Sequence, residues 1–171
     1  LLSPALAKAL DPLLTGGTGS DSNTEVQPDY MPDRFESGTP NLPGVYGLHA
    51  ALCALEQEGL SHRQAQEEAL LKQFLAGLDA FSGIHVLGTR DLSRRVGLVS
   101  VDFTALRDNA EVADRLATEF GVLTRCGLHC APNAHKTYGT FPQGTVRFSF
   151  NSSNTAEEID SALRALHMIL E

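Results

Sequence analysis

Apolar residues recur every three to four positions in several stretches of the chain, and this spacing predicts amphipathic helices. The first clear stretch follows Asn41, which can cap a helix, and ends at Gly59. A second continues to about residue 81 and begins with Ser61 and Gln64, which have the spacing of a capping box. Two consecutive helices are therefore predicted in the first half of the chain.

Two further helices are indicated nearer the C-terminus. One begins at Asp108 with Glu111, continues through apolar residues at helical spacing and ends at Gly121. The last begins at Thr155, which has capping-box spacing with Glu158, and continues through regularly spaced leucines to the end of the chain.

Alternation of apolar and polar residues marks the strands. GLVSVDF (97–103) and TVRFSF (145–150) alternate most clearly, and shorter extended runs lie at 83–88 and 122–125. The predicted order is two helices, two strands, a helix, two strands and a helix. This order indicates an α+β domain, with an antiparallel sheet and helices on one face.

Residues 15–42 do not follow either period. TGGTGSDSNTE (15–25) reads as a loop, and Pro28, Pro32 and Pro40 exclude a long helix after it. A compact domain seldom contains so long a segment without regular structure. Such a segment is usually functional or packs on something else.

The net charge of −8 at pH 7 argues against nucleic acid or an anionic membrane as the main partner, because both attract basic surfaces. We find no run long enough for a membrane span and no signal-peptide pattern, so a cytoplasmic location is predicted. An odd number of cysteines, three, in a reducing compartment disfavours a disulfide scaffold. The chain opens without methionine, so we expect it to begin partway through a larger protein.

The segment RCGLHCAPNAH (125–135) concentrates groups that carry chemistry: two cysteines, two histidines and an arginine. Structural zinc normally takes a close cysteine pair with two more ligands at a distance. Here the remaining cysteine, Cys53, fits the apolar stripe of a predicted helix. The ligand set is incomplete, and no metal site is predicted.

Cys130 is the candidate nucleophile of this segment. A reactive cysteine needs a partly exposed loop and nearby positive charge. Gly127 and Pro132 make this segment a loop, and Arg125, His129, His135 and Lys136 supply the charge. Cys126 adjoins a predicted strand and is interpreted as a packing residue. The alternative is that both cysteines are simply buried, because free cysteines are among the most buried residues.

Arg147 lies in the middle of a predicted strand, and the apolar residues of that strand face the other way. One interpretation is a solvated sheet face. The other is a carboxylate anchor, because a guanidinium binds a carboxylate through two parallel hydrogen bonds.

RCGLHCAPNAH, followed by GTVRFSF and NTAEEID, resembles the C-terminal part of class V aminotransferase-fold enzymes. The cysteine desulfurases and selenocysteine lyases are most similar, and RFESGTPN (34–41) is similar to a family segment that ends in G-T-P-N. The resemblance covers essentially the whole chain. It implies that residues 43–171 form the small C-terminal domain of a fold-type I pyridoxal phosphate enzyme. Residues 1–42 would be an irregular segment that belongs to, or packs on, a large domain upstream.

The resemblance also implies roles for five residues. Cys130 matches the cysteine that takes sulfur from substrate cysteine as a persulfide, and Arg147 matches the arginine that binds the substrate α-carboxylate. Arg125 matches an arginine near the active site. Gly38 and Thr39 match a segment that touches the phosphate of pyridoxal phosphate from the neighbouring subunit of a homodimer.

The lysine that holds pyridoxal phosphate in this family lies in the large domain, and none of Lys8, Lys72 and Lys136 is in a matching segment. We therefore expect a C-terminal part of a cysteine desulfurase that by itself neither binds the cofactor covalently nor turns over cysteine. The implied partners are L-cysteine or a related small amino acid and a sulfur-acceptor protein. The alternatives are a selenocysteine lyase, another class V enzyme, or a non-catalytic module that binds sulfur or metal.

Overall fold

The structure is a computed structural model that describes residues 2–21 and 23–171. The chain divides into two compact units, Leu1–Leu55 and Glu56–Glu171. The helices are α1 (Pro4–Ala9), α2 (Leu42–Glu58), α3 (Leu60–Leu78), α4 (Asn109–Phe120), α5 (Pro132–Tyr138) and α6 (Ala156–Leu170). The strands are β1 (His85–Val86), β2 (Leu98–Asp102), β3 (Arg125–Gly127) and β4 (Thr145–Ser149). A 3-10 turn lies at Leu92–Arg94.

The first unit is mostly irregular between its two helices. Asn41 caps α2 as predicted, because its Oδ1 accepts a hydrogen bond of 3.1 Å from the Gly44 N–H. Helix α2 has no buried residue, and several of its large apolar side chains are exposed. The exposed apolar side chains of α2 include Leu42, Val45, Tyr46, Leu48 and Leu52.

The second unit is built on a four-stranded antiparallel sheet in the order β1-β2-β4-β3. The apolar positions of β2 and β4 alternate with polar ones, so they share one face, and that face is buried. Helices α3, α4 and α6 supply the other half of the core. Phe74 of α3 packs on Phe148 of β4, with ring centroids 4.8 Å apart. The predicted α+β fold, with an antiparallel sheet and these helices on one face, is confirmed.

The predicted helix ends near the C-terminus are also confirmed. Asp108 caps α4 by accepting from two backbone N–H groups, and Gly121 ends the helix in the left-handed conformation with φ 69°. Thr155 and Glu158 form a complete capping box at the start of α6.

Three local predictions are wrong. Segment 125–135 is not a loop throughout: α5 begins at Pro132, because a proline fits the first turn of a helix, where its missing N–H costs nothing. The strand predicted at 122–125 lies at Arg125–Gly127, so Cys126 is inside the strand. Ser61 does not cap α3, because the helix already begins at Leu60 and Gly59 takes the cap position.

None of the helices within the described residues is both long and apolar enough to cross a membrane.

Candidate active site

The open face of the sheet carries the polar residues of the central strands. Arg147 of β4 is the register partner of Ser100 on β2 and of Arg125 on β3. Directly paired residues of antiparallel strands point to the same side of a sheet. The structure therefore brings Arg125 and Arg147 together on the face opposite the core, as the sequence pattern of β4 predicts for Arg147.

The next feature is a tight turn that follows β3. The Ala131 N–H donates to the Leu128 carbonyl over 2.8 Å, so residues 128–131 form a hydrogen-bonded turn. Its two central residues, His129 and Cys130, have φ angles of 52° and 61°. Glycine, asparagine and aspartate normally fill such positions, because other residues pay about 1–2 kcal/mol each in the left-handed region. Cys130 is therefore held in an unfavourable backbone conformation at the tip of an exposed turn.

Cys130 is exposed, and its Sγ accepts a hydrogen bond of 3.7 Å from Nη2 of Arg125. The contact holds the sulfur beside a fixed positive charge. The predicted nucleophile and its predicted arginine are thus in contact.

A histidine closes the same turn. The Arg125 carbonyl lies 3.0 Å from Nε2 of His129, and a carbonyl oxygen can only accept, so Nε2 carries the proton. Burial lowers the pKa of His129 from its ordinary value of 6.5, although the bond to the Arg125 backbone opposes this. The positive charges of Arg147, His135 and Arg125 lower it further. The ring is accordingly a neutral donor near pH 7.

The ring of His129 stands next to that of His135 on α5, with centroids 5.7 Å apart. His135 is buried, and its Nδ1 lies 2.8 Å from Oγ1 of Thr140. The Thr140 N–H also donates to the His135 carbonyl, over 2.9 Å. Helix α5 therefore supports the cysteine turn from behind. The sequence pattern indicates a loop over 125–135 and so misses this support; Pro132, which fits the first turn of a helix, is a weak local signal of α5.

A close backbone approach fixes where β3 ends. A Cβ atom at Gly144, where φ is 76°, would lie 2.2 Å from the backbone carbon and oxygen of Gly127. Only glycine fits such a contact. The end of β3, from which the cysteine turn starts, is thus held directly against the start of β4.

Arg147 has hydrogen-bonding capacity to spare. Its Nε is shielded from solvent and has no hydrogen-bond partner within the part of the chain that the structure describes. Over the same residues, no carboxylate lies within 4.0 Å of Arg147 or Arg125. An unsatisfied buried donor costs about 1–3 kcal/mol. Two guanidinium groups without an acidic partner, one with an unused donor, suit an anionic ligand.

The other two cysteines have different surroundings. Cys126 is half-buried and packs against the hydrophobic core, which confirms the interpretation of this residue as packing. Burial raises the pKa of its thiol, and the negative charge of Asp108 raises it further. Cys53 lies on α2, with its Sγ 3.8 Å from Nε2 of His49. Within residues 2–21 and 23–171, no cluster of three or more His, Cys, Asp or Glu side chains could hold a metal ion.

Gly38 and Thr39 lie in the first unit, and both are exposed. The Gly38 N–H already donates to the Gly17 carbonyl over 2.8 Å. Its φ is 86°, and no heavy atom comes within 4 Å of the place where a Cβ would be, so a ligand can approach the backbone closely. The exposed hydroxyl of Thr39 can donate to a phosphate oxygen. This segment therefore fits a phosphate group, through Thr39 and the open backbone of Gly38.

Comparison with known proteins identifies relatives over almost the whole chain. The family model described as aminotransferase class-V matches residues 1–162. A probable cysteine desulfurase of Pyrococcus abyssi is 35% identical over 163 residues, which cover 94% of this chain and 39% of that protein. A second probable cysteine desulfurase, of Mycobacterium leprae, is 34% identical over 169 residues, and the match again covers 39% of that protein. The chain spans about two fifths of the length of these relatives.

Solved structures agree with the sequence relatives. The chain resembles the apo cysteine desulfurase of Thermococcus onnurineus, with a TM-score of 0.74 and 35% identity, over 81% of this chain and 34% of that one. It also resembles the Escherichia coli cysteine desulfurase CsdA in its S-sulfonic acid form. There the TM-score is 0.80 and the identity 29%, over 97% of this chain and 40% of that one. With its site geometry and a family match that extends over residues 1–162, the chain belongs to the class-V aminotransferase family.

Proposed function

We propose that this chain is the C-terminal part of a cysteine desulfurase, and that Cys130 receives sulfur from L-cysteine as a persulfide. The observation that carries the proposal is the 3.7 Å contact between Nη2 of Arg125 and Sγ of Cys130, on an exposed turn. The relatives named as cysteine desulfurases support the choice of reaction within the family.

Cys130 acts as the nucleophile in this proposal. Its thiolate attacks the sulfur of substrate cysteine, an S–S bond forms at Cys130, and the substrate's carbon–sulfur bond breaks. The electron pair of that bond passes to the substrate's β-carbon, which takes up a proton and becomes the methyl group of alanine. The transfer follows the rules of thiol–disulfide exchange, in which the thiolate is the attacking species. Arg125 holds the Cys130 sulfur in place, and the tight turn presents it outward from β3. The products are alanine and the Cys130 persulfide, whose outer sulfur passes to an acceptor protein.

Arg147 binds the substrate α-carboxylate in this proposal. The side chain shares a sheet face with Arg125 and has no carboxylate partner within the described residues. Two parallel hydrogen bonds from a guanidinium would fix the orientation of a small amino acid as well as hold it. The substrate sulfur is then directed towards Cys130.

The class-V family depends on pyridoxal phosphate, and we assign Thr39 and Gly38 to its phosphate. When bound, this cofactor supplies the electron sink that carbon–sulfur cleavage requires. The three lysines of this chain are exposed, on α1, α3 and α5, and we place the lysine that holds the cofactor upstream of Leu1. By itself, the 171-residue chain should show no absorbance band of a lysine-bound cofactor that borohydride removes.

We further propose a homodimer in which Thr39 reaches the phosphate of the neighbouring subunit. The exposed apolar side chains of α2 support this proposal, since large exposed apolar patches usually mark interfaces. Residues 1–42 would pack on the upstream domain. Light scattering of the full-length protein tests the dimer, and a monomer at working concentrations would contradict it. A cytoplasmic location remains a prediction from the sequence.

Persulfide formation in the full-length protein tests the desulfurase proposal. Cys130→Ala should abolish the persulfide that mass spectrometry detects after incubation with L-cysteine, and alanine production should fall with it. Cys126→Ala is the matched control, because that thiol packs against the core, and it should retain the persulfide. Alanine production at the normal rate in Cys130→Ala would contradict the role of Cys130. Turnover of selenocysteine with no turnover of cysteine would indicate a selenocysteine lyase instead.

A further inference from the structure

The cysteine turn has a backbone that its own sequence does not favour. His129 and Cys130 both have positive φ, and neither is glycine, asparagine or aspartate. Two adjacent residues of this kind persist only where surrounding contacts hold them. The contacts that hold this turn therefore decide where the Cys130 sulfur lies.

One side-chain contact closes the turn. His129 donates from Nε2 to the Arg125 carbonyl over 3.0 Å, and so joins the tip of the turn to the first residue of β3. The same arginine extends its guanidinium to the Cys130 sulfur. The carbonyl of Arg125 thus holds the turn, and its guanidinium contacts the Cys130 sulfur. Both contacts depend on the position of Arg125 relative to the turn.

The His129 ring is itself fixed from outside the turn. Its neighbour His135 is only 6% exposed and is anchored to Thr140, so α5 limits the positions that the His129 ring can adopt. The His129 side chain therefore contacts both a strand residue and a buried helix residue, and these contacts restrict its position.

We propose that His129 is a positioning residue for Cys130: its bond to the Arg125 carbonyl holds the left-handed turn and keeps the Cys130 sulfur against the Arg125 guanidinium. This inference rests on the proposed function for its meaning in catalysis. Loss of the bond lets the turn relax and moves the Cys130 sulfur away from the Arg125 guanidinium, so the thiol is no longer held where it attacks and sulfur transfer slows. Substrate binding by Arg147 does not change, so kcat falls while KM stays the same.

Three substitutions in the full-length protein separate the hydrogen bond from other roles of the side chain. His129→Phe keeps a ring and removes the donor. His129→Gln keeps an N–H near the position of Nε2. His129→Asn accepts positive φ more readily than histidine but is too short to reach the Arg125 carbonyl. The readouts are the rate of Cys130 alkylation by iodoacetamide against pH, and the steady-state kcat and KM with L-cysteine.

We expect the alkylation rate at pH 7 to fall about tenfold in H129F and H129N, which is the size of one net hydrogen bond. H129Q should stay within about threefold of the wild-type protein on the same scale. The kcat should follow the alkylation rate at constant KM. Alkylation of Cys126 monitors folding in each variant, because that thiol packs against the core, is only partly accessible, and should react faster where the domain opens.

Wild-type alkylation rates in H129F or H129N would overturn the proposal, and so would a loss in H129Q as large as that in H129F. H129N gives the same information if H129F does not fold, since it removes the bond without placing a larger apolar ring in the turn. Alkylation needs no turnover. A protein that shows the expected alkylation pattern but forms no persulfide would therefore refute the desulfurase proposal and leave the positioning role intact.

Discussion

Arg125 and Arg147 are register partners on two neighbouring antiparallel strands, so two guanidinium groups leave the same face of the sheet side by side. Like charges that face each other directly across strands destabilise a sheet. No acidic side chain within the described residues neutralises either group. A pair of this kind is expected where an anion binds, and Cys130 lies at the edge of the pair through its contact with Arg125.

Arg147→Lys should weaken substrate binding more than it slows the chemical step. Lysine keeps the charge but loses the two parallel hydrogen bonds that orient a carboxylate. Because a hydrogen bond to a charged group is worth about 1.5–3 kcal/mol, KM for L-cysteine should rise about 10–100-fold. Steady-state kinetics of the full-length protein give the measurement.

Arg164→Lys is the matched control for that substitution. Arg164 lies on α6 and donates to Ser161 on the same helix, away from the open face of the sheet. The KM of the Arg164→Lys variant for L-cysteine should equal that of the wild-type protein. If the two variants behave alike, Arg147 is a solvated residue of the sheet face and not the carboxylate anchor.

The cysteines on either side of the turn should differ in reactivity. Cys130 is exposed beside a guanidinium, whereas burial raises the pKa of the half-buried Cys126 thiol. With one equivalent of iodoacetamide at pH 7.5, peptide mass spectrometry should find far more label on Cys130 than on Cys126. Equal labelling of both cysteines in the folded protein would show that the contact with Arg125 does not activate the thiol. Labelling in denaturant, where both sites should react alike, provides the reference.

Much of the fold was readable from the sequence because local signals and the core agreed. β4 alternates strictly, and its face assignment follows from the pleat alone. Asp108, Asn41 and Thr155 act as caps because each places a side-chain oxygen one turn before unsatisfied N–H groups. These features depend only on residues close in the chain.

The site was only partly readable. The chemistry of Cys130 and Arg147 could be inferred from residue type and from family resemblance. The contact between Arg125 and Cys130 could not, because it depends on a turn whose residues, His129 and Cys130, do not favour positive φ. Helix α5 was missed for a related reason: seven residues after a proline give too short a periodic signal to separate from a loop.

Thr155→Ala should destabilise the second unit by about 1 kcal/mol, the usual cost of losing a helix cap. Thr155 accepts from the Glu158 N–H, and Glu158 returns a bond to the Thr155 N–H, so the substitution breaks half of a reciprocal pair. Thr118→Ala is the control, since Thr118 is an exposed interior residue of α4 and alanine has the higher helix propensity. Urea denaturation compares the two, and equal midpoints would contradict the capping role.

His129 should contribute a pH dependence with a defined sign. Its pKa in the folded chain lies below the ordinary value of 6.5, mainly because of burial. Below pH 6.5 the unfolded chain then binds more protons than the folded one, so the free energy of unfolding falls as the pH falls. About one pH unit or more above that ordinary value the residue is neutral in both states and contributes no slope.

NMR titration of the His129 ring checks the first part, and a midpoint at or above 6.5 would contradict it. Urea denaturation at pH 7.5 and pH 5.5 checks the second. The wild-type protein should lose more stability between these two values than His129→Gln, because the glutamine variant keeps the bond to Arg125 without a group that titrates. The other five histidines are common to both proteins and cancel in the comparison. The difference in stability loss between the two proteins therefore reports the protonation of His129 alone.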